Sequence, residues 1–244
     1  MEIIKDTCLV ITGCVSPNAN VPYLALKDID KRRRQYIDSI EYYIKESDFE
    51  KIIFCDNSGA EAEEGLFELA SDYSKKFEWL SYVGDSDNTV KYGKGFSEGE
   101  IVRYVLDNSK LMASCSKFIK ITGRLKVVNI NSFKKLSGKN KSYFELRGSI
   151  LDTRCYLTRK EDYNRYLLEA YKDVDDNKGR YLEIVYNEIV KSTDKVFYPL
   201  PFALNIVGES GSSGTKYYDS FFVHTLKNVK RFFTAIIWNI KGYK

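Results

Sequence analysis

Short apolar runs rich in β-branched residues alternate along the first half of the chain with longer stretches whose apolar positions recur every three or four residues. Residues 7–15, TCLVITGCV, read as a buried strand that ends in Ser16-Pro17-Asn18. Tyr36, Ile37, Ile40, Tyr43 and Ile44 then mark one face of an amphipathic helix over residues 30–44, behind a basic first stretch. KIIFCDNSG is a second strand, broken at Asp56-Asn57-Ser58-Gly59. The same reading gives a helix over 61–77, a strand in FEWLSYVGD and a helix over 99–112 carrying Ile101, Val102, Val105, Leu106 and Met112. A strand in FIKI (residues 118–121) follows, before Thr122-Gly123-Arg124. Strand and helix in alternation predict a doubly wound α/β sandwich of three layers with a mostly parallel central sheet.

Past Asn129 the alternation loosens. Residues 132–142, SFKKLSGKNKS, form a basic Gly/Ser-containing loop, SILDTRCYLTR reads as a strand, and 161–171 and 179–191 read as helices. The last stretch places Phe222, Leu226, Val229, Phe233, Ile236, Ile237 and Ile240 on one stripe, with Lys227, Lys230 and Arg231 opposite and Lys241 and Lys244 at the end. Two readings fit this C-terminal amphipathic helix: packing on its own domain, or lying in the interface of an anionic membrane. Phe221, Phe232 and Trp238 widen the apolar surface beyond one stripe and favour the membrane.

Composition narrows the classes. Of the 244 residues, 43% are hydrophobic and 30% charged, with too few prolines (4) and glycines (15) for a disordered or fibrous chain. A formal charge of +4 is too mild to imply nucleic-acid binding. Five cysteines without a CxxC pair fit reduced thiols in a cytosol. MEIIKDTCLVITG has neither a basic n-region nor a small-residue cleavage site, so no signal peptide is expected, and no apolar window reaches membrane-spanning length. The expected location is the cytoplasm, peripherally on the inner face of the cell membrane.

A single histidine, His224, in the terminal segment removes His-based triads and His-rich metal sites, so a general base must be a carboxylate. GxSxG, GxxxxGK[ST] and HExxH are all missing. Ligands of parallel α/β sheets sit at the carboxyl ends of strands, which points to Thr12, Gly13 and Cys14 after the first strand and to Asp56 and Asn57 after the second. Asp56 could accept from a base N–H or a ribose hydroxyl, or simply cap its loop. Asp85-Ser86-Asp87 is a literal DxD, readable as a metal site or as an Asx turn. Asp152 and Glu183 are the candidate general bases, and Glu183 opens a helix, which favours its ionised form. The Gly/Ser loop from Asn205, NIVGESGSSGTKYY, could close over a ligand or be plain surface.

KYGKGFSEGEIVRYVLDNSKLMASCSKFIKITGR, residues 91–124, resembles the segment of GT-A glycosyltransferases in which a Gly-rich loop and helix precede the strand ending in an Asp-x-Asp metal site. Together with ITGCVSP, IIFCDNSG, DTRCYL, GRYLEIVYNEIV and GESGSSG, in this order, it resembles bacterial capsule, O-antigen or lipooligosaccharide glycosyltransferases. The resemblance implies a GT-A-like Rossmann-type fold, a nucleotide-sugar donor and a saccharide or lipid-linked acceptor at the membrane. It adds Lys94, Gly95, Glu98, Thr122, Gly123 and Arg124 to the donor site. Thr122-Gly123-Arg124 stands where Asp-x-Asp is expected, so the usual metal is in doubt and Mg2+ or Mn2+ stays open as a cofactor. A guanidinium at Arg124 can grip two phosphate oxygens, and Gly123 permits close backbone approach.

The expected organisation is a transferase domain over residues 1–218, with a nucleotide-sugar half (1–130) and an acceptor half (131–218), followed by the helix of 219–244. The expected activity is transfer of a hexosyl group, with inversion, from a nucleotide sugar such as a UDP-sugar during surface-polysaccharide synthesis. A sugar nucleotidyltransferase and a non-catalytic membrane scaffold are the alternatives.

Overall fold

Leu9 and Ile11 point to one side of their strand and Cys8 and Val10 to the other, all four fully buried, so the first apolar run has protein on both faces. The structure is a computed structural model, and residues 4–21, 24–147, 150–193, 195–210, 214–218 and 220–241 are described. That run is β1 (Ile4–Gly13), which joins β2 (Phe49–Asp56), β3 (Lys76–Ser81) and β4 (Lys117–Thr122) in a parallel set. Three short strands, β5 (Leu125–Val127) with two from the C-terminal part, make a small second sheet.

β6 (Ser142–Arg147), β7 (Ile150–Arg159) and β8 (Phe197–Pro199) extend the main sheet, whose order is β3-β2-β1-β4-β7-β6-β8. β7 runs antiparallel to both β4 and β6, and β8 is parallel to β6, so β7 alone is reversed in this sheet. Strands from residues 1–130 and 131–218 therefore share one sheet. β9 (Ile206–Glu209) and β10 (Lys216–Tyr217) pair with each other, and β9 pairs with β5 to close the small sheet.

Helices cover both faces. α1 (Ile29–Glu46) starts where Asp28 accepts the Lys31 amide at 2.9 Å, and it buries Tyr36, Ile40, Tyr43 and Ile44. α2 (Glu64–Asp72) is shorter than its pattern predicts: Ser74 takes a left-handed φ of 54°, and β3 begins two residues later. α3 (Ser86–Tyr92), α4 (Lys94–Asn108) and α5 (Lys110–Ala113) follow, then α6 (Lys134–Ser137) and α7 (Lys160–Tyr166). α8 (Leu182–Ser192) buries Leu182, Val185, Tyr186 and Val190 against the same face as α4. Each fully buried Ile, Leu or Phe of these two layers stabilises by about 1.5–3 kcal/mol. The basic 132–142 loop is partly helical, since α6 lies within it.

One helix starts well ahead of its predicted boundary. The segment from Gly93, expected as a glycine loop leading to a helix at 99, is already helical from Lys94. The reason is packing. A side chain on Gly99 would overlap Tyr171, and one on Gly95 would press on Val174 and Leu182, so these glycines let α4 lie close against residues 171–182. Gly93, at φ 99°, makes the turn between α3 and α4.

α9 (Phe221–Lys241) spans the amphipathic tail. Its body-facing contacts come from Asn228, whose Oδ1 accepts the Ala203 amide at 2.8 Å, and from Arg231, which donates to Glu145 at 2.7 Å. Trp238 adds a ring contact 4.6 Å from that of Tyr198. Among its described side chains the apolar stripe is turned outward: Phe222 is 71% exposed, Leu226 56% and Phe233 57%. Among the described residues no helix is long and apolar enough to cross a membrane.

Candidate functional site

A cavity of about 920 Å³ opens where β1, β2 and β4 end at their carboxyl edges. Thr12, Gly13, Cys14, Asn57, Thr122 and Arg124 line its sheet side, Lys94, Gly95 and Glu98 come from the start of α4, and Glu183 comes from the start of α8. Ten of the residues singled out from sequence thus meet in one place. The register explains part of it: Thr12 pairs with Thr122, so β1 and β4 end level and side by side.

Asp56, Gly123, Asp152, Asp85 and Asp87 are not part of the lining. Asp56 is fully buried and does not line the cavity. Its oxygens accept from the amides of Val15 at 2.7 Å, Ser58 at 2.8 Å and Ala60 at 2.9 Å, which makes it the organiser of two strand-end loops and leaves nothing for a nucleoside. Gly123 is glycine because a side chain would strike the Thr12 carbonyl, so the close approach it permits is between strands. Asp152 lies on β7 with both oxygens held by Arg154, at 2.8 and 2.6 Å, and is not among the residues that line the cavity. Asp85 caps α3 by accepting from the Asn88 amide at 3.0 Å, and Asp87 is exposed in the first turn of that helix. Two residues apart on a helix they face different ways, and neither lines the cavity. Residues 211–213 of the Gly/Ser loop lie outside the described residues, while Glu209, Ser210 and Tyr217 beside them line the cavity.

Four cations border the space: Arg32, Lys94, Arg124 and Arg154. Arg32 is buried one turn from Tyr36 on α1, and its guanidinium donates to the carbonyls of Cys14, Val15 and Leu26 and to the Tyr36 hydroxyl, with no carboxylate partner among the described residues. Arg124 donates to Gln35 Oε1 at 2.9 Å and lies 6.0 Å from the Tyr36 ring centre. Burial lowers the Lys94 ammonium below its ordinary pKa; Asp176 works the other way, and the charges of Arg124 and Arg32 add to the lowering. Three like charges thus feel one another across the cavity. Asp176 and Glu183 act on the Lys94 ammonium from the same cavity and offset part of this repulsion.

Beneath lies a second charged layer. Lys120, in the middle of β4 and fully buried, is ion-paired with Glu98 and donates to Thr122 Oγ1 at 3.0 Å and to the Thr153 carbonyl at 2.8 Å. Thr153 Oγ1 donates to Glu183 at 3.0 Å. Burial first, and the neighbouring Glu98 charge second, raise the Glu183 carboxyl above the usual carboxylate range. Burial also raises Asp176, which accepts the Gly95 amide at 3.2 Å and so occupies the first turn of α4. Cys14 has its thiol pushed up to about 11, by burial before Asp56, which removes it as a nucleophile at neutral pH.

Sequence reasoning missed Arg32, Tyr36, Lys120, Arg154 and Asp176. Arg32 was hidden in KRRRQ, which reads as a solvated helix start, and Asp176 in DVDDNKG, which reads as a turn.

Among the described residues no group of three or more His, Cys, Asp or Glu side chains could hold a metal ion. The cavity carboxylates fit one poorly, since Glu98 is taken by an ammonium and Asp176 by a backbone amide.

The sequence matches no protein-family model and no curated protein. Solved structures do match in shape. Core-mannan synthase A from Aspergillus fumigatus, in an Mn/GDP form, aligns with a TM-score of 0.50 at 7% identity over 96% of this chain and 86% of that one. A mannosyltransferase from S. cerevisiae in complex with GDP gives 0.46 at 10% identity, over 94% and 82% of the two chains. A nucleoside-diphosphate-sugar pyrophosphorylase from Vibrio cholerae gives 0.45 at 15% identity over 80% and 91%. The chain has the GT-A-like, Rossmann-type fold expected from its motifs, with the C-terminal helix added.

Proposed function

We propose that the protein is a glycosyltransferase that takes a hexosyl group from a nucleoside-diphosphate sugar, a UDP-sugar in the simplest reading, and passes it with inversion to a saccharide or lipid-linked acceptor in surface-polysaccharide synthesis. One observation carries the reading: Arg32, Lys94 and Arg124 converge on a cavity at the carboxyl ends of β1 and β4. A diphosphate would be held by these cations at a wall that also carries the carboxylates Glu98, Asp176, Glu183 and Glu209. Asn57 lines the same cavity, and its buried Oδ1 has no hydrogen-bond partner among the described residues, which suits a donor N–H or O–H of the nucleoside.

Glu183 is the general base of this scheme. Burial raises its carboxyl above the usual carboxylate range, which makes the ionised form a stronger base than an exposed glutamate. The acceptor oxygen attacks the anomeric carbon, its proton passes to Glu183, and the carbon–oxygen bond to the diphosphate breaks. The electron pair goes to the departing oxygen, which Arg124 and Lys94 stabilise in the role a divalent ion would otherwise fill. A nucleotidyltransferase needs carboxylate-held magnesium, and Asp85 and Asp87 do not converge to provide it.

The outward stripe of α9 supports attachment to an anionic membrane surface. Lys139 and Lys141, from the basic segment after α6, line a small cavity of about 110 Å³ together with Ala235 of α9, which puts cations beside the exposed apolar residues.

The test is a melting-temperature panel with UDP-, GDP-, dTDP- and CMP-sugars, followed by transfer assays with the best binder. A ligand held only by the folded state raises the melting temperature. At least one sugar nucleotide should do so, and transfer should survive a chelator. No shift with any of them removes the reading, and activity lost to the chelator and restored by Mg2+ or Mn2+ removes the metal-free scheme.

A further inference from the structure

At the edge of the sheet opposite the cavity, two cysteines from distant parts of the chain meet. Cys8 lies in the middle of β1, and Cys115 lies in the turn between α5 and β4. Their sulfurs are 2.7 Å apart and both residues are buried. A disulfide has its sulfurs at about 2.05 Å, so bonding asks for only a small further approach. Lys51 Nζ stands 3.6 Å from the Cys115 sulfur and 2.8 Å from Ser114 Oγ, and a cation so placed favours the thiolate. Burial alone does not set this pair apart. Cys55 and Cys155 are equally buried, but neither has a second sulfur or a lysine in hydrogen-bond reach among the described residues, and burial pushes both thiols upward into inertness. The turn is also reachable, because Ser114 and Ser116 on either side of Cys115 are exposed.

We propose that Cys8 and Cys115 form an oxidative modification site at which hydrogen peroxide closes a reversible disulfide. The Cys115 thiolate attacks one peroxide oxygen, the O–O bond breaks, and a sulfenic acid and hydroxide result. The Cys8 sulfur then attacks the Cys115 sulfur and expels the hydroxyl group, which leaves as water with the Cys8 proton. Two thiols and one peroxide give one disulfide and two waters, the sulfurs being oxidised and the peroxide reduced. The bridge spans 107 positions of sequence and ties β1 to the entry of β4, the two strands whose other ends carry Thr12 and Thr122.

The experiment treats the full chain with hydrogen peroxide, counts free thiols and maps peptides without reduction. The five free thiols should fall to three, a single Cys8–Cys115 peptide should appear, and dithiothreitol should restore all five. In Cys8→Ala, peroxide should give no intramolecular bridge. Wild-type protein that keeps five thiols, bridges other cysteines, or carries Cys115 to the sulfinic acid without a bridge overturns the proposal. The wild-type map decides the matter even if Cys8→Ala does not fold.

Discussion

Replacing Arg124 by alanine separates a phosphate-binding role from a structural one. Its described contacts are one hydrogen bond to Gln35 and a loose approach to the Tyr36 ring. Losing a hydrogen bond of this kind costs about 1 kcal/mol, so the melting temperature should fall by only about 2–4 °C for a chain of this size. A charged hydrogen bond to a phosphate contributes about 1.5–3 kcal/mol, which becomes a loss of about 10- to 150-fold in kcat/KM. Arg32 and Lys94 remain in place and keep the loss from being total. Arg124→Lys retains the charge without the planar fork and should fall between the two. The assay is release of nucleoside diphosphate with the sugar nucleotide that gives the largest melting shift, together with calorimetric binding of the free diphosphate. A folded Arg124→Ala protein that binds the diphosphate as tightly as wild type and keeps its kcat/KM refutes the argument.

Lys120→Met should leave Glu98 facing the cavity without its cation; breaking a buried pair costs about 3–5 kcal/mol, and the melting temperature should drop by about 6–20 °C, with Glu98→Gln in the same chain recovering part of it. Glu183→Gln should abolish transfer while retaining donor binding, and the wild-type rate should fall as pH drops through the elevated Glu183 pKa, read from a kcat/KM profile. Stability should move the other way: a carboxyl raised in the folded state favours folding at low pH, and that contribution is lost as pH rises from the unfolded value through the folded one, so denaturant titrations should find Glu183→Gln gaining on wild type above this window. Phe222→Ser with Phe233→Ser should reduce sedimentation with vesicles containing anionic phosphatidylserine at least about tenfold. Unchanged sedimentation, or a wild-type dimer that these changes dissociate, assigns the stripe to protein contact instead.

The sheet was legible because its central strands are buried on both faces. Such strands are nearly continuous apolar runs, and TCLVITG and IIFCD announce themselves. The reversal of β7 was not legible. An antiparallel strand inside a two-sided sheet needs the same apolar residues as a parallel one, so ILDTRCYLTR carries no mark of its direction. The glycine segment misled for a related reason: it reads as a glycine-rich loop leading into a helix, yet the glycine of closest contact, Gly99, serves the approach of α4 to Tyr171. Nothing local to GKGFSEG distinguishes a helix that must approach a neighbour from a loop that must approach a ligand.

Strand ends gave much of the site, since topology alone brings Thr12, Asn57 and Thr122 to one edge. Side chains that reach the cavity from helices, such as Arg32 and Asp176, depend on where each helix sits, which local pattern does not encode. Lys120 is different, because its signal was present in the sequence. In KFIKIT, alternation puts Phe118, Lys120 and Thr122 on one side and Ile119 and Ile121 on the other, with protein on both sides of a central parallel strand. A lysine at such a position cannot reach water by length alone and must be met by a buried acceptor. Its presence two residues before the strand end therefore demands a carboxylate or carbonyls at the floor of the cavity, and the α4 residue facing it, Glu98, follows from that need. After burial, the Glu98 charge helps to raise the Glu183 carboxyl proposed as the base, while Lys120 works the other way. Read this way, one polar interruption in an apolar strand points to the charged floor more sharply than the glycines do.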